Sequence, residues 1–466
     1  MSDTNNLAPA EPHEAGEPND ESSPSASDTP APPKIWVELT APFPPEDLPT
    51  DAPLNISPEN TERIDFSGFL QFVREHGLLR MEYSFGPQAA ESTNRARFLT
   101  LHFKPATDVA SVAEELMRRR EVIHAIEQRK LIPTAPSSGN PLDEPFVRPL
   151  LGGVVATDPA TSYDNQWYLF RCKVDGAWRQ NVSGRGIIIA DIDWGFLTSH
   201  QEFDNRIAFQ LNTLNGGSTV NGGLAIDHGT AVMGLVGAGI NGLGIVGIAF
   251  ASDLWLVQAG EDPNGTLDVN PWLRALEQVV AKTAPGQRKI ILLEVQTEFS
   301  EPIDVVPPVR AAIKEAIAKE VVVCVAAANG SRDASLDVKL QPFPSSGAIL
   351  VGATSYCPTS DPLAAHSNHG IRVPIYAPGD AMHDVTCSSD ADDRYRNEFG
   401  GTSGATPKVT GTIALMLEAN PKLSHYEIKD ILRETGTQVT GDPAKIKGTF
   451  LNAEAAVAEA ISRAII

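Results

Sequence analysis

Five short apolar runs recur between residues 186 and 354 of this chain: GIIIADID (186–193), DLWLVQA (253–259), KIILLEVQ (289–296), VVVCVAA (321–327) and AILVGAT (348–354). Each is nearly continuous in apolar character. A strand with one wet face alternates apolar and polar residues, whereas a strand covered on both faces by helices does not. Segments with helical spacing fall between the runs, notably NPWLRALEQVVAK (270–282) and VPPVRAAIKEAIAKE (306–320). This succession predicts an α/β fold, a mostly parallel sheet with helices on both faces, from about residue 160 to 466.

The first 160 residues read differently. Residues 1–33 are rich in Pro, Ser, Asp and Glu and nearly free of large apolar groups. They cannot bury enough surface to offset chain entropy and are expected to be disordered. A second low-complexity stretch, PTAPSSGNPLDEP (133–145), marks a linker over 133–159. Between them a small α+β domain is expected over 34–132. Its segments are a strand at Lys34–Thr40, a helix at Asp65–His76 closed by Gly77, and strands at Leu78–Phe85 and Ala96–Phe103. A helix at Val109–Arg119 and an extended segment at Glu121–Ile132 complete it. The order β-α-β-β-α-β is ferredoxin-like.

Composition narrows the class of partner. With 59 acidic and 37 basic side chains the formal charge is -22, which repels nucleic-acid phosphates and anionic membranes. No apolar run approaches the ~20 residues of a membrane span. The four cysteines, Cys172, Cys324, Cys357 and Cys387, form no CxxC pair and no disulfide framework, and Cys324 sits inside an apolar run. The N-terminus lacks a charged start followed by an apolar stretch, so a cytoplasmic location is expected, with leaderless export as the other route.

Three local patterns carry chemistry. Asp193-Trp194-Gly195 follows the first apolar run directly. His228-Gly229-Thr230-Ala231-Val232-Met233-Gly234 opens a small-residue helix, and Gly401-Thr402-Ser403-Gly404-Ala405-Thr406-Pro407 opens another. A serine hydroxyl is a poor nucleophile until an adjacent base takes its proton, and imidazole titrates in the right range. A carboxylate must then fix the imidazole tautomer and stabilise the cation that forms. Asp193 lies at the carboxyl end of a strand, where open α/β sheets place their chemistry.

In chain order, Asp then His then Ser, and in local wording, these patterns resemble the subtilisin-like serine peptidases, whose triad follows that order. Ser367-Asn368-His369-Gly370 and Ala377-Pro378-Gly379 match two further landmarks, Gln166-Trp167 and Ala177-Trp178 the entry segment, and Gly448–Val457 the closing strand and helix. The departures are Gly404 after the serine, where a larger residue is commoner, and Ala231, where His is frequent. The resemblance implies a serine endopeptidase acting on protein or peptide substrates, with no cofactor required for chemistry. It also places Asn329, at the end of VVVCVAAANG, in the oxyanion hole. A binding module on the same fold, or an esterase or transpeptidase on the same machinery, stays open and would be separated by casein against small esters.

Further roles follow only from the resemblance. Residues 34–132, above all Ala110–Lys130, resemble the propeptides of these enzymes. That implies an intramolecular inhibitor whose tail enters the cleft, the alternative being an ordinary accessory domain. Glu294, Val295 and Gln296 stand at the family's substrate-binding strand, and Ala326, Ala327 and Ala328 at a second wall of the specificity pocket. Glu294 either faces the cleft and selects basic residues or is turned away and paired with a neighbouring donor. Glu202 and Asn241, beside the loop Gly239–Ile245, fall on positions where relatives bind calcium, against which stands a metal-free glycine-rich turn.

Overall fold

A computed structural model describes residues 32–44, 66–127 (without 87, 90, 91 and 93), the backbone of 131–133, and 166–464 without 224, 242, 261–267, 283–287, 338, 358, 381–383 and 397–398. Most of the tail expected over 1–33, and the linker expected over 133–159 beyond its first residue, lie outside the described residues.

The N-terminal elements are β1 (Lys34–Leu39), α1 (Ser67–Glu75), β2 (Leu78–Tyr83), β3 (Phe98–Phe103), α2 (Val109–Leu116) and β4 (Val122–Glu127). The strands form one antiparallel sheet in the order β2-β3-β1-β4, the ferredoxin-like arrangement. Gly77 follows α1 with φ +87°, a conformation in which a side chain would be strained. Phe43, Phe66, Phe69, Val73, Leu99, Leu101 and Leu116 make its interior. The extended segment expected through Ile132 divides in two. After β4 a separate strand, β5 (Leu131–Pro133), leaves this sheet and joins the larger part of the molecule.

There the elements are α3 (Trp167–Arg171), α4 (Val174–Trp178), β6 (Ile187–Asp193), β7 (Ile207–Asn212), α5 (Ile226–Gly237), β8 (Asp253–Gln258) and α6 (Asn270–Ala281). They continue as β9 (Arg288–Leu293), β10 (Val295–Thr297), α7 (Pro307–Ala318), β11 (Val322–Ala326), β12 (Ile349–Thr354), β13 (Ile375–Pro378), β14 (Thr386–Cys387) and β15 (Tyr395–Arg396). The last are α8 (Gly401–Ala419), α9 (His425–Thr435), β16 (Thr449–Phe450) and α10 (Ala453–Ala464). Eight strands form one parallel sheet in the order β16-β13-β12-β11-β9-β6-β8-β7. All seven residues of β6 and all five of β11 are buried, as strands covered on both sides must be. Helices α5 and α8 pack on one another and over β6, and α6 packs on α7.

The order matters for function. From β6 the chain goes to the edge strand β7, returns to β8 between β7 and β6, then crosses to β9 on the other side of β6 and continues outward through β11, β12 and β13. The switch point therefore lies between β6 and β9, and ligands of open α/β sheets bind in the crevice at the carboxyl ends of such strands. Asp193 ends β6 there, and Glu294 follows β9.

Candidate active site

Asp193 is held by its own chain. Its Oδ1 accepts from the Trp194 N–H (2.6 Å), which aims Oδ2 at the next element. His228 stands in the first turn of α5, and its Nδ1 lies 2.6 Å from Asp193 Oδ2. Its other nitrogen, Nε2, lies 3.0 Å from Ser403 Oγ in the first turn of α8. The Trp194 and Phe399 rings meet the imidazole edge-on, with centroids at 5.8 and 5.6 Å. All three groups are buried, so their hydrogen bonds form away from competing water. An imidazole so placed can accept the serine proton at one nitrogen while keeping its own proton toward the carboxylate at the other.

The small residues of the motifs have visible work. The Leu197 N–H donates to Thr230 Oγ1 (2.8 Å), tying the Asp193 loop to the histidine helix. The Gly401 N–H donates to the Gly379 carbonyl (2.8 Å), and a Cβ on Gly379 would come within 2.3 Å of the Gly401 carbonyl oxygen. Only glycine allows the Ala377-Pro378-Gly379 strand end to brace the turn that carries Ser403 so closely.

Asn329 comes to the same place from the end of β11. Its Oδ1 accepts from the Thr402 N–H (3.0 Å) and the Thr402 hydroxyl (3.1 Å). Its backbone N–H donates to Gln296 Oε1 (2.8 Å). Asn368 fixes the turn beyond it, its Oδ1 accepting from the N–H groups of Gly330 (2.9 Å) and Arg332 (3.1 Å). Thr402 and Asn368 thus orient Asn329. Both stand in motifs legible in the sequence, but their orienting contacts were not.

On the substrate side β10 carries β5 as an antiparallel partner, with Val295 opposite Pro133, Gln296 opposite Ile132 and Thr297 opposite Leu131. Gln296 therefore pairs its backbone outward and turns its amide to Asn329. Ala326, Ala327 and Ala328 are fully buried at the end of β11, and Ala328 has φ +75°, a conformation that favours glycine. Glu294 requires a correction to the cleft-facing reading. It is 1% exposed, and its carboxyl lies with those of Asp191 and Asp193, one oxygen of each within 4.8 Å of the others. The side chain faces under the triad because it shares the parity of Leu292, which pairs with Asp191. Asp191, inside the apolar run GIIIADID, was not among the site residues read from the sequence.

Glu202 and Asn241 meet, but not as ligands. Glu202 Oε1 accepts from the Tyr395 hydroxyl (2.6 Å) and the Ile245 N–H (3.0 Å), and Oε2 accepts from Asn241 Nδ2 (3.2 Å). The Asn241 oxygen is turned to the Leu243 N–H (2.8 Å). Donors converge on this carboxyl where a cation would need oxygens, so the pair does not fit calcium. Burial pushes the Glu202 carboxyl up to about 7. All four cysteines are free thiols, and among the described residues no helix is long and apolar enough to cross a membrane.

Comparisons with known proteins bear on the family and the fold. The Subtilase family profile matches residues 184–448, more than half of the chain. Subtilisin E of Bacillus subtilis (strain 168) is 25% identical over 292 residues, 59% of this chain and 67% of that protein. The Extracellular serine proteinase of Thermus sp. (strain Rt41A) is 30% identical over 262 residues, 56% of this chain and 57% of that protein's length. Among solved structures, fervidolysin from Fervidobacterium pennivorans, described as a keratinolytic enzyme related to subtilisin, shares the fold with a TM-score of 0.60 at 17% identity, over 92% of this chain and 61% of that one. The extracellular relative points away from the cytoplasmic location expected from the N-terminus, and that expectation is corrected accordingly. With the profile covering residues 184–448 and the parallel sheet matching in fold, the chain belongs to the subtilase family, the subtilisin-like serine endopeptidases.

Proposed function

We propose that the chain hydrolyses peptide bonds through an acyl-enzyme on Ser403, under the control of its own N-terminal domain. The observation that carries this reading is the continuous chain of contacts from Asp193 through His228 to Ser403, at 2.6 and 3.0 Å. Ser403 Oγ attacks the scissile carbonyl carbon while its proton passes to His228 Nε2. Asp193 holds the imidazolium that results. Asn329 and the Ser403 N–H stabilise the oxyanion. The tetrahedral intermediate collapses, the amine leaves with the proton from His228, and water repeats the sequence to release the acid.

An extended substrate adds to β10 as an antiparallel strand, since main-chain pairing to a free edge is a common mode of peptide capture. The pairing of β5 with β10 supports the inhibitory reading of residues 34–132, because the chain leaving that domain takes the place such a substrate needs. On this reading 34–132 is the inhibitor, 160–466 the peptidase, and self-cleavage falls between about residues 133 and 164, where the linker composition lies. The test compares wild type with Ser403→Ala on casein, followed by mass spectrometry. Wild type should cleave casein and shorten itself, and the variant should do neither. Full casein hydrolysis by a clean Ser403→Ala preparation would reject the nucleophile.

A further inference from the structure

Beneath the triad Asp193 stands in a cluster with two further carboxyls, Asp191 and Glu294, that peptide hydrolysis as described above does not use. Asp191 and Asp193 are two apart on β6 and so share one face. Leu292 of β9 pairs with Asp191, and Glu294, two residues further, falls on that face as well. Asp191 is fully buried and Glu294 is 1% exposed. One oxygen of each of the three carboxyls lies within 4.8 Å of the others. Neither oxygen of Asp191 receives a hydrogen bond from an N–H or O–H group among the described residues. Among the described residues, no positively charged group is recorded as acting on Asp191 or Glu294. From β11 comes the Cys324 thiol, pushed up to about 12 by burial and therefore neutral, and from α8 the Thr410 hydroxyl beside it. From α5 comes His228, which reaches the cluster through Asp193.

Three ionised carboxylates cannot occupy so small a dry space. Asp193 has the imidazole as its partner. Asp191 and Glu294 have each other, and two facing carboxyls have one economical solution, a proton held between them. We propose that Asp191 and Glu294 form a proton-sharing pair of positioning residues that carries one negative charge behind Asp193 and strengthens His228 as a base. Burial raises both carboxyls well above their ordinary range, which agrees with a retained proton. The same pair fixes the end of β9, where the Glu294 carbonyl lies 3.4 Å from Ser403 Oγ. The inference rests on the hydrolytic reading above.

The test is the pH profile of kcat/KM in purified enzyme, with labelling of Ser403 by a fluorophosphonate as the check on the hydrolytic reading itself. In Glu294→Gln the amide N–H replaces the shared proton and Asp191 keeps the charge. The acid limb should hold its place, with kcat/KM lowered about threefold by the altered contact. In Asp191→Asn/Glu294→Gln the charge is gone, and the acid limb should move to lower pH by about one unit, with kcat lowered about tenfold. A folded double variant that labels normally and keeps the wild-type acid limb overturns the proposal, as does a Glu294→Gln acid limb displaced as far as that of the double variant. Absence of labelling in wild type would instead reject Ser403 as nucleophile. Should the double variant not fold, infrared difference spectra decide, recorded in the Ser403→Ala background. A protonated-carboxyl band at neutral pH that is lost in Glu294→Gln supports the shared proton. Its absence in the parent, or a stoichiometric divalent metal in the purified protein, overturns it.

Discussion

Asn329 and Glu202 illustrate opposite outcomes for a single polar side chain. The carbonyl end of Asn329 is fixed by two donors from Thr402, which leaves its NH2 end for the oxyanion role proposed above. Removing one such donor costs about a hundredfold to a thousandfold in turnover elsewhere, so Asn329→Ala should lower kcat by about that factor with little change in KM. Steady-state kinetics on one peptide substrate checks this, and an unchanged kcat would remove Asn329 from the oxyanion hole. Glu202 is governed by burial. Its carboxyl is raised from 4.5 to about 7 in the folded protein. The folded chain then binds a proton more tightly than the unfolded chain, so the stability this group contributes is present below pH 4.5 and is lost as pH rises toward 7. The loss is on the order of 3 kcal/mol. Glu202→Gln should therefore flatten the fall in stability across that window, measured by urea unfolding at several pH values in the Ser403→Ala background. A slope identical to the parent would show that another group titrates there.

At the scale of the element, α8, the helix that carries Ser403, is anchored from inside. Lys408, one turn beyond Ser403, is fully buried and lies 2.7 Å from Asp384. It also donates to the carbonyls of Pro378 (2.9 Å) and Gly404 (2.8 Å), and its ammonium stands over the Tyr168 ring at 4.6 Å. Deleting one member of a buried pair leaves the other charge unpaired, so Lys408→Met should destabilise by about 3–5 kcal/mol. Lys408→Met/Asp384→Leu should recover much of that, because no charge is left uncompensated. Equal losses in the single and double variants would show that the ammonium acts through its carbonyl contacts instead.

The strands and helices themselves were legible in sequence because apolar runs and helical spacing report burial directly. What they do not report is the face on which a polar residue sits once a strand is buried on both sides. Asp191 reads as an interruption in GIIIADID, and Glu294 reads equally well as facing the cleft or the core. Only the register between β6 and β9 brings the two together. The triad was legible for the opposite reason, since each of its members lies in a glycine-bounded motif whose backbone demands are local. The division of the expected 121–132 segment was not, because the partner of β5 is more than 160 residues away in sequence.

The whole molecule is held together across its two parts by charge as well as by β5. Arg95, beside β3, reaches Glu277 of α6 at 2.5 Å and Glu315 of α7 at 2.7 Å. Glu38 of β1 lies 2.9 Å from Arg310 of α7, whose side chain is only 2% exposed. Arg310 also faces His124 of β4 at 3.3 Å, and the His124 ring meets Phe343 edge-on. The contacts are unequal. Arg95 is about a quarter exposed and its pairs are partly screened, but it bridges two carboxylates. Burial already raises the Glu277 carboxyl, with the neighbouring charge of Glu315 acting in the same direction against the pull of Arg95. Without the guanidinium, two acids face each other across α6 and α7, and the N-terminal domain loses a point of attachment while β5 stays as it was. If that domain shields the cleft, Arg95→Ala in the full chain should expose Ser403 more often. The rate of fluorophosphonate labelling of uncleaved protein should then rise about tenfold, the consequence of losing charged hydrogen bonds of about 1.5 kcal/mol or more. Raising the salt concentration should speed labelling of the parent and do little to the variant, because screening removes what the substitution has already removed. A variant that labels at the parental rate at every salt concentration would mean that β5 alone closes the cleft, or that the N-terminal domain does not close it.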